Sequence, residues 1–314
     1  MEKETGKLEK VTEEAVPAGN NSNGSAARKT RVEVLKTYKL YIDGKFPRSE
    51  SGRYIIQHDA DGNSIANICR ASRKDFRDAV TAARKAQEGW AARSAFNKGQ
   101  ILYRIAEVME GRKAQFEAEL SQAGLEKEAA KTDVGLATDR LVYYAGWCDK
   151  FQQVFSSVNP VESSHFNFSI PEPMGVACIL VPDNYTISGL VSLMVPAIAG
   201  GNTVIILASA ANPLSAITFA EVLQTSDVPA GVVNILTGYR SELAAQFSSH
   251  MDVNALVYTG NDADEIAMIR KNAALNVKRI ADYSGKDLTN PQTQDPYFIL
   301  DLQEIKTTWH PIGQ

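Results

Sequence analysis

Gly175-Val-Ala-Cys-Ile-Leu-Val-Pro182 and Gly201-Asn-Thr-Val-Ile-Ile-Leu207 are the two segments that decide the fold of this sequence. Each contains an unbroken apolar run rich in β-branched residues, and the runs predict strands over Val176–Val181 and Thr203–Leu207. Strands without polar alternation are buried on both faces, as in parallel sheets covered by helices. The sequence therefore predicts an α/β, Rossmann-like fold, with a twisted, mainly parallel sheet and helices on both faces.

Patterns typical of strands and helices continue on both sides of these two strands. Two later apolar runs predict strands over Val232–Leu236 and Ala255–Tyr258. Apolar residues at helical spacing predict intervening helices over Ser188–Ala199, Leu214–Thr225 and Ser241–Ser249. Upstream, the chain predicts a strand and turn over Tyr38–Phe46, a helix capped by Ser72, and helices over Lys98–Ser121 and Ala137–Phe155.

The sequence divides into three predicted regions. Residues 1–36 are rich in charged and small polar residues and are predicted to be a mobile tail. Residues 37–286 form the α/β domain. Residues 287–314 form a strand-like extension in which the apolar alternation slips by one position near Gln303, as a β-bulge would produce. This extension either packs back on its own sheet or, over Tyr297–Trp309, forms an interface with another chain.

Composition excludes several classes of protein. With 33 Lys+Arg against 37 Asp+Glu, the net charge is −4, which disfavours nucleic-acid binding. Three scattered cysteines and four histidines show no metal-ligand or disulfide spacing, so we expect no metal. The apolar window Gly189–Ala208 is interrupted by Pro196 and by Gly200-Gly-Asn202, so a buried helix and strand explain it better than a membrane span. No apolar leader is visible, and we expect a cytoplasmic location.

Five short motifs lie in a recognisable order in the predicted domain. They are Glu172-Pro-Met-Gly-Val176, Val181-Pro-Asp-Asn184, Pro196-Ala-Ile-Ala-Gly-Gly-Asn-Thr203, Pro229-Ala-Gly-Val-Val-Asn234 and Tyr258-Thr-Gly260. Their order and spacing resemble the cofactor-binding half of the aldehyde dehydrogenase superfamily. The opening at Lys36–Gly52 and the ending Trp309-His-Pro-Ile-Gly313 are similar to the non-catalytic second module of the family-sixteen aldehyde dehydrogenases.

Several positions depart from the pattern of that superfamily. Its members clamp the adenosine ribose with the Lys and Glu of a Lys-Pro-x-Glu motif, and this sequence has Leu207 and Ala210 at those two positions. The oxyanion-holding Asn survives as Asn184, but the Trp before it is replaced by Asp183. Remnants of the cofactor site are Pro182, Gly231, Thr259 and Gly260.

The resemblance also leads to an expectation about the cofactor. Losing two charge-assisted contacts removes about 3–6 kcal/mol of binding, or roughly 10² to 10⁴ in affinity. Asp262, Asp264 and Glu265, at the start of a predicted helix, would in addition repel a pyrophosphate. We therefore expect no bound cofactor, or NAD(P) at most weakly.

The catalytic groups that the resemblance implies are not found in this sequence. The family's general-base Glu lies in a Leu-Glu-Leu-Gly-Gly-Lys segment. The corresponding stretch, Lys278–Lys286, reads as one residue shorter and has no Glu. The nucleophilic Cys would follow in a catalytic domain, but the last cysteine here is Cys178. Asn184 is therefore expected to be a relic that caps a turn.

The leading interpretation is a non-catalytic aldehyde dehydrogenase-like subunit that scaffolds or completes a catalytic aldehyde dehydrogenase. Its partner would be that enzyme, or a second copy of this chain, bound through Tyr297–Trp309. The alternative is an NAD(P)-dependent aldehyde oxidoreductase component that is active only in a complex. A truncated reading frame without function is a third possibility.

Overall fold

The computed structural model describes residues 34–313 of the chain. The predicted tail falls almost entirely on residues 1–33, which lie outside the described part. The strands are β1 (Lys36–Tyr38), β2 (Tyr54–His58), β3 (Ser64–Cys69), β4 (Ser157–Asn159), β5 (His165–Pro173), β6 (Val176–Leu180), β7 (Thr203–Leu207), β8 (Val233–Leu236), β9 (Ala255–Tyr258), β10 (Arg279–Asp282) and β11 (Gln303–Pro311). The helices are α1 (Arg73–Ala91), α2 (Ala95–Gly111), α3 (Lys113–Gln122), α4 (Lys127–Trp147), α5 (Phe151–Phe155), α6 (Ile187–Ala199), α7 (Pro213–Gln224), α8 (Arg240–Ser249), α9 (Ala263–Ala273) and α10 (Tyr297–Leu300).

A five-stranded parallel sheet forms the centre of the fold. Its strand order is β10-β9-β6-β7-β8, and every neighbouring pair is parallel. All residues of the four predicted strands β6, β7, β8 and β9 are buried, although β8 lies at one end of the sheet. The predicted fold class is therefore confirmed. The edge strand β10 is only partly buried, and the sequence did not predict it.

Helices cover this sheet on both faces. Alternate residues of β6 point in opposite directions, so Ala177 and Ile179 join a core formed with α2, α4, α6 and α7, whereas Cys178 and Leu180 join a core formed with α1, α8 and α9. Period-two alternation of side chains explains why an entirely apolar strand is needed between two helical layers. Because all neighbouring strands are parallel, their carboxyl ends lie along one edge of this covered sheet.

Two smaller sheets flank the domain. One has the order β1-β3-β2, and the other is antiparallel with the order β11-β5-β4. The predicted turn after Ile42 is present, with positive φ angles at Asp43 and Gly44. The predicted cap of α1 is present too, because the Ser72 hydroxyl accepts from the backbone N–H of Asp75, whose carboxylate accepts from the N–H of Ser72.

Three sequence predictions need correction. The helix predicted over Lys98–Ser121 is divided at Arg112 into α2 and α3. The guanidinium of Arg112 donates to the carboxylate of Glu221 on α7. The helix predicted over Ala137–Phe155 begins at Lys127, where the Glu126 carboxylate caps it, and ends at Trp147. In the extension, the phase slip near Gln303 comes from the helical turn α10 and not from a bulge, since β11 pairs with β5 without a register shift.

The extension belongs to the same packed body as the sheet. Phe298, Ile299 and Leu302 are each at most 2% exposed and join the core around α6. From Glu304 onward the residues of β11 are exposed. Among residues 34–313, no helix combines the length and the apolarity that a membrane crossing requires.

Candidate functional site

A two-lobed cleft opens at the carboxyl ends of β6, β9 and β10. In open α/β sheets this is the edge where ligands bind. One lobe has a volume of about 560 Å³ and lies between the first turns of α8 and α9. The other, of about 470 Å³, lies beside the loop that follows β10. Pro182 and Gly260 line both lobes, so the two volumes are adjacent.

Four predicted site residues converge on this cleft. Pro182 and Asn184 follow β6, and Thr259 and Gly260 follow β9, so the pairing of these two strands brings the four together. Asn184 is exposed, and its side chain makes no hydrogen bond with any residue between 34 and 313. The turn after Pro182 is closed by the backbone N–H of Tyr185 instead, so the expected capping role of Asn184 is wrong.

Gly231, the remaining predicted cofactor residue, lies outside the cleft. It precedes β8 with φ +84°, and a Cβ built on it would come within 2.5 Å of the carbonyl oxygen of Ala82 on α1. The glycine is required because the helix and the backbone approach closely there, in a conformation that other residues rarely adopt. Gly231 is thus a packing residue.

An ion pair that the sequence did not predict crosses the first lobe. Nε of Arg240 lies 2.8 Å from both carboxylate oxygens of Glu265, and the guanidinium lies over the ring of Tyr258 at 5.1 Å. Nη2 of Arg240 is buried without a hydrogen-bond partner. Burial and the nearby carboxylate of Glu265 raise the pKa of the Tyr258 phenol.

The carboxylates at the start of α9 are therefore less repulsive than we expected. Glu265 is neutralised by Arg240, and Oδ1 of Asp262 accepts from the backbone N–H groups of Asp264 and Glu265 as the cap of the helix. Only Asp264 remains as an exposed, unpaired carboxylate in this group within the described residues. Charge at this helix start does not by itself exclude an anionic ligand.

The carboxylate of Asp183 lies beside the end of β7, where the resemblance places the ribose clamp. Leu207 is buried, and Ala210 follows two residues after Ala208 in the loop beyond β7. Oδ1 of Asp183 accepts from the backbone N–H of Ala210 at 2.8 Å, and the Ser209 hydroxyl donates to the carbonyl oxygen of Asp183. Asp183 also lines the first lobe.

The second lobe is polar and partly cationic. The Tyr185 hydroxyl donates to the carbonyl oxygen of Lys286 at 2.7 Å and fixes the loop after β10. The ammonium group of Lys286 lies 4.9 Å from the centre of the Phe298 ring. With Asn184 and Thr289, it gives this lobe hydrogen-bond donors in addition to the backbone.

A carboxylate stands where the resemblance places the general-base Glu. Aligned on Gly285-Lys286, the family's segment needs no deletion, and Asp282 falls at the Glu position. The reading of a shorter segment is therefore corrected. Burial alone would raise the pKa of Asp282, but hydrogen bonds from Ser284 and the charge of Arg270 outweigh it and lower that pKa. Asp282 does not line either lobe.

None of the three cysteines reaches the cleft. Cys69, Cys148 and Cys178 are all buried. Burial raises the pKa of Cys148 to about 12, and it also raises the pKa of Cys178 despite the nearby charge of Lys278. A thiol with a raised pKa and no access to solvent is a poor nucleophile. In the described residues, no group of three His, Cys, Asp or Glu side chains could hold a metal ion.

Comparisons with known proteins agree with this geometry. Residues 46–289 match the model of the aldehyde dehydrogenase family. The cytosolic 10-formyltetrahydrofolate dehydrogenase of Mus musculus is 34% identical over 258 residues, which cover 80% of this chain and 28% of that protein. An NAD⁺ complex of an aldehyde dehydrogenase from Bacillus cereus superposes with a TM-score of 0.75 at 25% identity, covering 80% of this chain and 51% of that one. PnpE in complex with nicotinamide adenine dinucleotide has a TM-score of 0.75 at 30% identity, covering 79% and 50%.

These matches overturn the expectation about the cofactor. Two of the similar structures hold the dinucleotide, which points towards NAD(P) and against a chain that binds none or only weakly. The expectation considered the charges lost at Leu207 and Ala210, whereas the side chains of Asp183 and Arg240 also line the first lobe.

The chain spans about half the length of the solved structures it matches and 28% of the mouse relative. Its match to the family model covers most of its own residues, and its fold superposes on that of the matched structures. The chain belongs to the aldehyde dehydrogenase family.

Proposed function

We propose that this chain is a non-catalytic aldehyde dehydrogenase-like subunit that keeps a dinucleotide cleft and supports the quaternary structure of a catalytic aldehyde dehydrogenase. One observation carries the proposal: the two-lobed cleft is formed, but every cysteine of the 314 residues is buried away from it. Oxidation of an aldehyde by this family's route needs a thiolate nucleophile beside the cofactor.

The shape of the cleft suits NAD(P). A dinucleotide consists of two nucleotides joined by a pyrophosphate, and the cleft consists of two adjacent lobes that share Pro182 and Gly260. The first lobe, with Asp183 and Arg240, would hold the adenosine half, and the second, with Asn184 and Lys286, the nicotinamide half. When bound, the nicotinamide supplies a hydride acceptor. The similarity to structures solved with NAD⁺ supports the binding of a dinucleotide.

The surface proposed for the partner is the outer edge of β11. All nine residues of β11 pair with β5 on one side, and β11 is the last strand of its sheet in the described part of the chain. The exposed edge of a strand readily accepts a strand from another chain. Ile305 and Trp309 are 51% and 57% exposed on this strand, so two large apolar side chains lie beside the unpaired edge.

We assign this edge to a catalytic member of the same family in preference to a second copy. The assignment rests on complementarity of function, because a chain with a cofactor cleft and no accessible thiol gains a role beside a chain that has one. The buried residues Phe298, Ile299 and Leu302 narrow the proposed contact from Tyr297–Trp309 to the exposed part from Glu304 onward.

The test is a tagged pull-down of the full chain from its native source, with the mass of the complex measured directly. Deleting the extension would strip buried residues from the core, so the edge is tested by the double substitution Ile305→Lys with Trp309→Lys. The control is Leu275→Lys, which adds a charge just after α9, outside β11, at a position that is 73% exposed. We expect the wild type and control to recover a catalytic aldehyde dehydrogenase at fixed stoichiometry and the double variant to lose it. Recovery of only a monomer or self-dimer contradicts the proposed role.

A further inference from the structure

We infer that Asp183 is the ribose-binding carboxylate of the adenosine lobe and that it makes the cleft prefer NAD over NADP. The inference rests on the proposed binding of a dinucleotide in the cleft. It concerns a side chain that stands where the family pattern has a Trp, so the role does not follow from the motif.

The geometry places Asp183 at the strand end where the clamp is missing. Asp183 follows β6, and Ala210 follows the neighbouring strand β7, which pairs with β6 in parallel up to Leu180 and Leu207. Their contact is direct, because Oδ1 of Asp183 accepts from the N–H of Ala210 at 2.8 Å. The carboxylate is thus held against the backbone of the residue that would otherwise carry the family's Glu.

One carboxylate oxygen remains for a ligand. Within residues 34–313, Oδ1 is engaged by Ala210, and no side-chain or backbone group donates to Oδ2. Asp183 is exposed and lines the first lobe. An acidic side chain at the end of the second strand of such a sheet binds a ribose hydroxyl of NAD, and it repels the 2′-phosphate of NADP. Asp183 follows the first strand, β6, and its contact with Ala210 brings its carboxylate to the end of the second strand, β7.

The other charges of the lobe favour the same choice. Arg240 could attract a phosphate, but its Nε is committed to Glu265, and the pair is neutral. Asp262 and Asp264 add negative charge to the same lobe. A third phosphate is therefore disfavoured there, whereas the uncharged ribose hydroxyls of NAD are not. Compared with the family pattern, Asp183 replaces a Trp and Ala210 replaces a Glu. One carboxylate is therefore still present at the ends of β6 and β7.

The experiment is calorimetric titration of the full chain with NAD and with NADP. Asp183→Asn keeps the size of the side chain and an oxygen for the N–H of Ala210 but removes the charge. We expect it to weaken NAD binding by about tenfold or more and to lower the preference for NAD over NADP. The control Asp252→Asn removes an exposed carboxylate that lies before β9 and outside both lobes, and it should leave the preference close to that of the wild type.

A rescue variant separates a local role from general damage. In Asp183→Ala combined with Ala210→Glu, the carboxylate is supplied from the end of the neighbouring strand β7, and the preference for NAD should return. A wild type that prefers NADP, or an Asp183→Asn variant with an unchanged ratio of the two affinities, overturns the inference and leaves the proposed cleft standing. A folded wild type that binds neither dinucleotide overturns the cofactor part of the proposed function and this inference with it.

Discussion

The guanidinium of Arg140 on α4 donates to the carbonyl oxygen of Asn290 at 2.8 Å, so this charged group is bound by a neutral backbone acceptor and not by a carboxylate. The same group also donates to the carbonyl oxygen of Leu288 and to the hydroxyl of Ser192. Arg140 is fully buried, and burial lowers its pKa. Through these hydrogen bonds, α4 holds the backbone of the segment between β10 and α10 in place.

Replacing Arg140 should therefore destabilise the fold. Arg140→Leu removes the donors to the buried carbonyl oxygen of Leu288 and to the partly buried one of Asn290, and we expect the free energy of unfolding to fall by about 2–4 kcal/mol. Arg104→Leu, which removes an exposed arginine paired with Glu107, should change it by less than about 1 kcal/mol. Urea unfolding followed by circular dichroism measures both. Equal losses in the two variants would show that the buried contacts carry no special weight.

The close approach at Gly231 should be intolerant of a side chain. Gly231→Ala brings a Cβ against the carbonyl oxygen of Ala82 in a left-handed backbone conformation, and we expect a loss of about 2–4 kcal/mol. Gly52 has a similar φ of +67° with nothing within 4 Å of a built Cβ, so Gly52→Ala isolates the cost of the backbone conformation alone. A loss at Gly231 no larger than that at Gly52 would contradict the packing argument.

The fold should respond to pH through Glu119. Burial raises the pKa of Glu119, against opposing hydrogen bonds from Thr218 and Gln115, and its Oε2 has no partner in the described part of the chain. The folded state then holds this proton more tightly than the unfolded chain, so stability falls as pH rises from the ordinary value of 4.5 through the folded pKa.

Glu119→Gln removes this dependence. The variant should be more stable than the wild type at pH 7 to 8, and the difference should shrink as the pH falls towards 4. Unfolding midpoints at a series of pH values test this. Glu110→Gln makes the same change at an exposed position of α2 and accounts for the general effect of charge. A gain from Glu119→Gln that stayed constant across the series would rule out the titration of this carboxylate.

The junction of the two lobes should be sensitive to bulk at Gly260. A Cβ built there lies 2.6 Å from the Tyr258 hydroxyl and 2.9 Å from Nη2 of Arg240. Gly260→Ala should push these groups into the cleft and weaken NAD binding by roughly tenfold, which corresponds to 1.4 kcal/mol. Gly89→Ala, where a Cβ meets nothing, is the control, and calorimetry is the measurement. Unchanged affinity at Gly260 would place the dinucleotide elsewhere.

The central sheet could be predicted because its pattern has one explanation. The apolar runs at Thr203–Leu207 and Ala255–Tyr258 are strands with those bounds, since short β-branched runs between helical segments are stable only between two helical layers. Strands β5 and β10 were not predicted. β5 contains prolines and polar residues whose partners, such as Thr307 and Asn159, lie far away or across a turn. The strand character of such a segment depends on its neighbours more than on its own composition.

The cleft could be located from the sequence, but its charges could not be counted. Pro182, Asn184, Thr259 and Gly260 follow strands, so their convergence follows from parallel pairing. Arg240 and Glu265 meet only because α8 and α9 lie side by side, and Asp183 meets Ala210 across 27 positions of the chain. A motif compared position by position registers each loss, but it cannot register a replacement that comes from a neighbouring strand.

The pairing of β5 with β11 has a consequence for how the protein is made. Pro173 and Gln303 are partners in the sheet but are about 130 residues apart in the chain, whereas the parallel sheet is built from segments between them. At the pace of translation, β5 waits on the order of 10 s for its second partner after the ribosome has passed it. Through that interval its nine residues are paired only by the three of β4, with Phe166, Phe168 and Ile170 beside an open edge. Co-translational folding therefore leaves one edge of β5 unpaired until β11 is made, and slowed synthesis between the two strands should increase aggregation.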